Sequence, residues 1–297
     1  MAATDRRRAT LLRGLSPSRA LRVCDVGANP LSVPPYQPLL AGGAAEVHGF
    51  EPNQDALAKL KAVAGPNERY HPFAIGRPGE RTLYLHHRSG FTSLYPMDGA
   101  ALARIGKSHF NKANRIREER LTTVALDDVP GLPQIDLLKM DVQGAEVEIL
   151  ETGTKRLSDA IAVITEVRFH RIYADEPMFG DQDQVLRAMG FRLYKFLFTK
   201  SAMLPHAHEA KVQRKRMTSQ LLDGDAVYLR DVDMPDAFTD DQLAHMALCA
   251  EVMFDAPDLV LHCLDALAAR GRVAPGLADD YIAHLPDRQR AEPEVAR

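Results

Sequence analysis

Residues 22–29 read Arg-Val-Cys-Asp-Val-Gly-Ala-Asn, and residues 49–53 read Gly-Phe-Glu-Pro-Asn. In the first stretch an apolar run (Leu21, Val23, Val26) closes on Asp25 and Gly27; in the second, Val47 and Phe50 lead to Glu51. The order is strand, glycine turn, crossover, strand, acid. A glycine at the first turn lets backbone approach a ligand closely. An acid that ends the second strand can accept hydrogen bonds from both ribose hydroxyls. The pattern therefore predicts a nucleotide-binding α/β fold. It does not predict a pyrophosphate cradle, which needs several glycines aimed at a helix N-terminus. Here Gly27 stands alone, with Asn29, Pro30 and Leu31 after it. Asp25 would repel a pyrophosphate and suits a positively charged ligand, such as the ammonium and sulfonium of S-adenosylmethionine. The missing glycines disfavour a nicotinamide cofactor.

A second stretch supports the same edge. Residues 135–146 read Ile-Asp-Leu-Leu-Lys-Met-Asp-Val-Gln-Gly-Ala-Glu. Leu137, Leu138 and Met140 predict a central strand buried on both faces. Asp141 sits where that strand stops, and Gly144 opens a helix. Ligands of open α/β sheets bind at the carboxyl ends of the strands, where strand order reverses. Asp25, Glu51 and Asp141 all fall at such ends. Carboxylates there are poor core filler, because an unpaired buried charge is costly.

Between these stretches, Asn53 or Asp55 caps a predicted helix with Leu57, Leu60 and Val63 on its apolar face. Tyr70–Ile75 reads as a third strand. Backbone after such a strand often meets an adenine ring, which makes Ala74 and Ile75 candidates for cofactor contact. Thr82, Tyr84 and His86 alternate with Leu83, Leu85 and His87, predicting a strand that extends the sheet. Ser93 either lines the site or bonds local backbone. Residues 99–120 gather Arg104, Lys107, Lys112, Arg115, Arg117 and Arg120 with His109 and Phe110. They read either as a solvated segment or as a lid for an anionic substrate. Residues 160–167 predict a further strand with Glu166 near its end and His170 just beyond. His206 and His208 lack the further partners of a metal site. Phe191–Phe198 and Ala226–Leu229 predict two last strands.

After Arg230 the composition shifts. Thr239 with Gln242 reads as a capping box, and Leu243, Met246, Cys249 and Met253 give helical spacing, continued after Pro257. This apolar stripe either packs within the chain or forms a homodimer interface. The expected division is an arm at 1–20, a main domain at 21–232, a helical extension at 233–285 and a disordered tail at 286–297.

The whole chain has 297 residues, 45% of them hydrophobic, enough for one large domain and an appendage. A formal net charge of -3 carries no nucleic-acid signature. The three cysteines form neither a disulfide framework nor a metal set, which favours a reducing, cytoplasmic setting. Arg6, Arg7 and Arg8 precede no apolar signal region, and no stretch reaches transmembrane length.

Asp25-Val-Gly-Ala-Asn29, Phe50-Glu-Pro-Asn53 and Leu138-Lys-Met-Asp-Val-Gln-Gly-Ala-Glu146 resemble motifs of the FkbM family of S-adenosylmethionine-dependent methyltransferases. Thr92-Ser93-Leu94, Val124–Asp127 and Ile164–Val167 extend the similarity, over roughly residues 21–230. The resemblance implies a Rossmann-like class I methyltransferase fold: a seven-stranded, mostly parallel sheet with helices on both faces and an antiparallel last hairpin. It implies O-methylation of a sugar, glycan or related small-molecule hydroxyl. By the same resemblance Asp25, Gly27 and Asn29 line the methionine part of the cofactor. Glu51, with Pro52 beside it, holds the ribose, and Asp141 lies nearest the methyl. The chain departs from the family at Pro30-Leu31-Ser32, where a second glycine is usual.

The expected reaction is displacement at the sulfonium methyl, with the enzyme aligning an acceptor hydroxyl and removing its proton. Asp141 is the first candidate base, with Glu166 and His170 as rivals. An ordinary aspartate, with a pKa of about 3.9, is a weak base for an alcohol. Asp141 therefore needs a raised pKa, or a divalent cation shared with Glu166, which the sequence does not display. The contrasting reading is a non-catalytic scaffold that keeps the cofactor pocket.

Overall fold

The computed structural model describes residues 3–29 and 33–291. Its strands are β1 (Leu21–Val26), β2 (Ala45–Phe50), β3 (Glu68–His71), β4 (Ala74–Ile75), β5 (Gly79–His86), β6 (Ile116–Val124), β7 (Leu137–Met140), β8 (Ala162–Arg168), β9 (Phe191–Ala202) and β10 (Gln220–Arg230). Its α-helices are α1 (Ala3–Gly14), α2 (Gln37–Ala41), α3 (Gln54–Val63), α4 (Gly99–Arg104), α5 (Glu146–Thr152), α6 (Phe179–Ala188), α7 (Asp240–Cys249), α8 (Pro257–Ala269) and α9 (Leu277–Ile282). Two compact units divide them. The larger takes residues 22–29 and 47–231; the smaller takes the described parts of 1–21, 32–46 and 232–297.

The main sheet has seven strands in the order β3-β2-β1-β7-β8-β10-β9. The pairs β2/β3, β1/β7 and β7/β8 are parallel, and β10 runs antiparallel to β8 and β9. This is the class I methyltransferase sheet with its antiparallel last hairpin. From β1 the chain winds outward to β3, then returns to β7 and winds the other way. Right-handed crossovers in opposite directions place α3 and α5 on opposite faces. The reversal between β1 and β7 is the switch point, where a crevice opens at the carboxyl ends. Leu137, Leu138 and Met140 are fully buried, as a strand covered on both faces requires. Leu138 and Met140 join Cys24, Val26, Phe50, Ile149 and Val163 in one core.

Two strand expectations are corrected. The segment 70–75 is not one strand. Pro72 has no N–H to give a ladder, so β3 stops at His71 and the chain resumes as β4. β4 joins a separate three-stranded sheet of order β4-β6-β5, so the alternating segment 79–86 does not extend the main sheet. The basic segment 99–120 is likewise not one element. Asp98 caps the short α4 by accepting from Ala101 N at 2.9 Å, and Arg117 and Arg120 stand on β6.

Asn53 caps α3, accepting from Ala56 N at 3.0 Å. Leu57 and Leu60 are buried as expected, but Val63 at the helix end is exposed.

In the smaller unit Thr239 and Gln242 form the expected capping box. The Leu243, Met246, Cys249 and Met253 stripe is buried within the single chain. A π-helical turn (Ala250–Phe254) follows α7 and carries Glu251 inward. Glu251 accepts from the buried Arg7 of α1 at 3.0 and 3.2 Å and from the Tyr281 hydroxyl at 2.6 Å. Among the described residues, no helix is long and apolar enough to cross a membrane.

Candidate active site

Strand register decides which side chains meet. Residues opposite one another in a ladder point to the same face, as do residues two apart on one strand. Asp25 stands opposite Lys139, and Lys139 opposite Ile164. Two residues beyond Ile164, Glu166 stands opposite Asp225, and Arg168 opposite Asp223. One face of the sheet therefore ends, at its carboxyl edge, in a row of charged side chains.

The turn after β1 is pressed against the end of β7. Gly27 N and Ala28 N donate to Phe50 O at 3.0 and 3.1 Å, and Asp141 N donates to Val26 O at 3.1 Å. Gly27 has φ +85°, and a Cβ there would lie 2.3 Å from Asp141 O. Only glycine serves, both for the left-handed backbone and for the contact. Glu51 is buried at the end of β2, where its Oε1 accepts from Asn53 N at 2.8 Å. Burial raises the Glu51 carboxyl, against the lowering effect of that bond. Pro52 is half-buried and Asn29 follows the turn.

Asp25 differs from expectation. Its Oδ1 accepts from Lys139 Nζ at 2.9 Å, so its negative charge already has a cation within the protein. Burial alone would lower the lysine, but Asp25, then Asp141 and Asp225, hold it above its ordinary value.

The loop after β7 carries Asp141, and Gln143 holds it. Gln143 adopts φ +59°, uncommon for a residue with a side chain. Its Nε2 donates to Asp141 Oδ1 at 2.7 Å and to Glu166 Oε2 at 2.6 Å. Its Oε1 accepts from Tyr173 OH at 3.0 Å and from Arg168 at 3.3 Å. Its backbone oxygen accepts from Ser93 Oγ at 2.5 Å. Glu146 closes the loop by accepting from Val142 N and Gly144 N at 3.1 and 2.9 Å. Burial nevertheless pushes that carboxyl up to about 7.

Arg168 lies beneath this loop with three carboxylates: Glu166 at 2.7 Å, Glu176 at 3.3 Å and Asp223 at 3.4 Å. Glu176 also accepts from Ile172 N and Tyr173 N. Asp223 pairs in addition with Lys200 at 2.9 Å. The surplus of negative charge extends to Asp225, whose carboxyl is pushed up to about 6, first by burial and then by Asp141.

The structure thus brings Asp141 and Glu166 together through Gln143, with Ser93 bracing the same loop. Asp141 is exposed, while both Glu166 and Gln143 are buried. His170 turns elsewhere: its Nε2 lies 3.1 Å from Ala101 O, to which it donates. Ala74 and Ile75 are buried in the small sheet. Pro30-Leu31-Ser32 lies outside the described residues. His206 and His208 are exposed in the β9–β10 loop, and among the described residues no group of three or more His, Cys, Asp or Glu forms a metal site.

Lys139, Gln143, Arg168, Tyr173, Asp223 and Asp225 were not singled out from sequence. Lys139 and Gln143 stood within the Leu138–Glu146 motif, while Arg168, Asp223 and Asp225 showed only the alternation Glu166-x-Arg168 and Asp223-x-Asp225, which becomes informative once register aligns the strands.

The residues present fit S-adenosylmethionine. The glycine turn would be filled by a single Cβ, and a buried acid ends the second strand with one oxygen bonded to backbone.

A family model described as Methyltransferase FkbM domain matches residues 25–193. The 2-O-methyltransferase NoeI of Sinorhizobium fredii (strain NBRC 101917 / NGR234) is 28% identical over 147 residues, covering 46% of this chain and 57% of that protein. The chain thus matches little more than half the length of that relative. Among solved structures, magnesium protoporphyrin IX methyltransferase from Synechocystis PCC 6803 with bound SAM aligns at TM-score 0.38 and 13% identity, covering 77% of this chain and 78% of that one. An S-adenosylmethionine dependent methyltransferase from Mesorhizobium loti aligns at TM-score 0.36 and 11% identity, covering 75% and 96%.

Proposed function

The chain belongs to the FkbM methyltransferase family, and from that premise we propose that it transfers a methyl group from S-adenosylmethionine to a hydroxyl oxygen of a saccharide or related small molecule. The observation that carries the reading is the meeting of the Gly27 turn with Asp141 at the switch point, beside Glu51. The sugar hydroxyl is supported by the 2-O-methyltransferase relative and by an edge rich in hydrogen-bond acceptors. When bound, S-adenosylmethionine supplies an electrophilic methyl on a sulfonium sulfur.

The protein's own residues do the rest. Backbone of the Gly27–Asn29 turn lies against the methionine portion. Glu51 Oε1 is taken by Asn53 N, which leaves Oε2 to accept from the ribose. Asp25 acts with Lys139 as the buried anchor of the turn rather than as a direct partner of the sulfonium. Ala74 and Ile75 remain the proposed neighbours of the base.

Asp141 orients the acceptor hydroxyl and takes its proton. One of its oxygens is fixed by Gln143, so the other points as that residue dictates. Such orientation removes freedom that the reacting oxygen would otherwise lose at the barrier. Glu166 is the holder of Gln143 and Arg168, not the base.

The test is transfer of radiolabelled methyl into a panel of neutral and acidic saccharides. Asp141→Ala should lower kcat by about 10²–10⁴-fold while S-adenosylmethionine binding stays within about twofold. Unchanged turnover would overturn the assignment of Asp141. Cofactor binding without transfer to any acceptor would favour the scaffold reading.

A further inference from the structure

The described surface holds a cluster of cations that the transfer chemistry does not use. Arg88 and Lys107 both stand over the ring of Phe110, with Cζ 5.6 Å and Nζ 5.9 Å from its centroid. Phe110 is itself buried, packed with Leu102, Ile172 and Tyr173. His86 fixes the arrangement: its Nε2 donates to Phe110 O at 3.2 Å and its Nδ1 accepts from Arg88 N at 3.1 Å. Arg115 donates to His87 at 3.2 Å. The His109 imidazole is lowered from its ordinary value, first by desolvation and then by the charges of Lys107, Arg115, Arg88 and Lys112.

Between Gly99 and Arg117 the sequence has no acid. Acids flank this segment, at Asp98, Glu118 and Glu119, and Arg214 pairs with Glu209. Among the described residues, neither Arg88 nor Lys107 makes an ion pair. Two like charges stand against one aromatic ring, and cation–π attraction offsets part of their repulsion. Arginine and lysine side chains so placed can give charge-assisted hydrogen bonds to an anion.

Its location ties it to the proposed site. Ile172 and Tyr173, which pack under Phe110, belong to the loop after β8, and the Tyr173 hydroxyl bonds Gln143. Asp98 N donates to Ile172 O at 2.9 Å. A second basic segment meets the first, since a Cβ on Gly106 would lie 2.9 Å from an Arg214 guanidinium nitrogen. Arg214 sits in the β9–β10 loop, whose antiparallel strands bring it to the carboxyl edge of β8.

We propose that Arg88, Lys107, Lys112 and Arg115 bind an anionic group carried by the acceptor, which is therefore an acidic saccharide. The proposal rests on the reading that methyl transfer occurs at Asp141. The floor and the rim have opposite charge. Asp141, Asp223 and Asp225 would repel a polyanion laid along the floor, which disfavours nucleic acid. They suit neutral hydroxyls, while a carboxylate, sulfate or phosphate elsewhere on the same molecule meets the rim.

The test is calorimetric titration of the full chain with cellobiouronic acid, which carries a single carboxylate, with cellobiose as neutral control. Wild type should bind the first and not the second. The double variant Arg88→Ala/Lys107→Ala should weaken binding at least tenfold, and Arg88→Lys/Lys107→Arg should restore it to within about threefold. The dissociation constant for S-adenosylmethionine should stay within twofold in all three proteins. That control separates the two readings, because failure of cofactor binding in wild type would count against the methyl-transfer site and not the anion rim. Equal binding of both saccharides, no binding of cellobiouronic acid, or full affinity in the double alanine variant would overturn the proposal. So would binding only to vesicles containing phosphatidylglycerol or to single-stranded DNA.

Discussion

Two buried arginines organise the two units, and they are built differently. Arg7 faces one carboxylate, Glu251, whose second partner is the Tyr281 hydroxyl. Charge balances and the group closes on itself. Arg168 faces Glu166, Glu176 and Asp223, and shares Gln143 with Asp141. One guanidinium serves three carboxylates, and a polar side chain leads from it to an exposed acid. A balanced buried pair holds a fold together. A surplus of buried charge is costly, and such surpluses gather at functional sites.

The largest expected effects separate these two roles. Arg7→Met and Arg168→Met should each cost about 3–5 kcal/mol of stability in urea unfolding, because each strands buried carboxylate. The paired variants should part company. Arg7→Met/Glu251→Met removes both charges and should recover most of the loss. Arg168→Met/Glu166→Met should not, since Glu176 and Asp223 remain uncompensated. Equal recovery in both would erase the distinction.

A smaller effect probes the link from Arg168 to Asp141. Gln143→Gly suits the φ of +59° and relieves the backbone, but removes the amide that fixes Asp141. Stability should fall by about 1–3 kcal/mol, because Glu166, Arg168 and Tyr173 lose a buried partner, and kcat should fall about 10–100-fold, or about 1.4–2.8 kcal/mol at the barrier. Lost stability with unchanged kcat would make Gln143 merely structural.

The smallest effect reads the surplus charge directly. Asp225 is pushed up to about 6 when folded, above its ordinary 3.8. Between those values the folded chain binds the proton and the unfolded chain does not, so Asp225 lowers stability as pH rises through that window. Asp225→Asn removes this dependence. Relative to wild type, the variant should gain about 1 kcal/mol between pH 4 and pH 7, a partial exposure discount included. No relative gain would mean that Lys139 and Lys200 already balance the site.

Asp25, Glu51 and Asp141 were legible because each ends an apolar run, and chain order alone places such ends on one edge. The sheet followed from the same runs. The break at Pro72 was a written signal, passed over because the apolar residues around it read as continuous. Arg168, Asp223 and Asp225 were hidden for another reason. Their alternation looks like that of any half-exposed strand, and their meeting depends on antiparallel register, which no local pattern encodes. Gln143 stood in the Leu138–Glu146 motif, but its role was hidden, since glutamine has no special preference for the left-handed backbone it adopts. Arg7 and Glu251 lie 244 positions apart, beyond any periodicity.

The measurement that tests the account most directly is calorimetric titration with S-adenosylmethionine, with NAD as control, of wild type and Glu51→Ala. Wild type should bind S-adenosylmethionine and not NAD. Glu51→Ala should lose at least tenfold in affinity, about 1.4 kcal/mol or more. Binding of NAD instead, or S-adenosylmethionine binding that ignores the loss of Glu51, would contradict the assignment of the switch-point crevice.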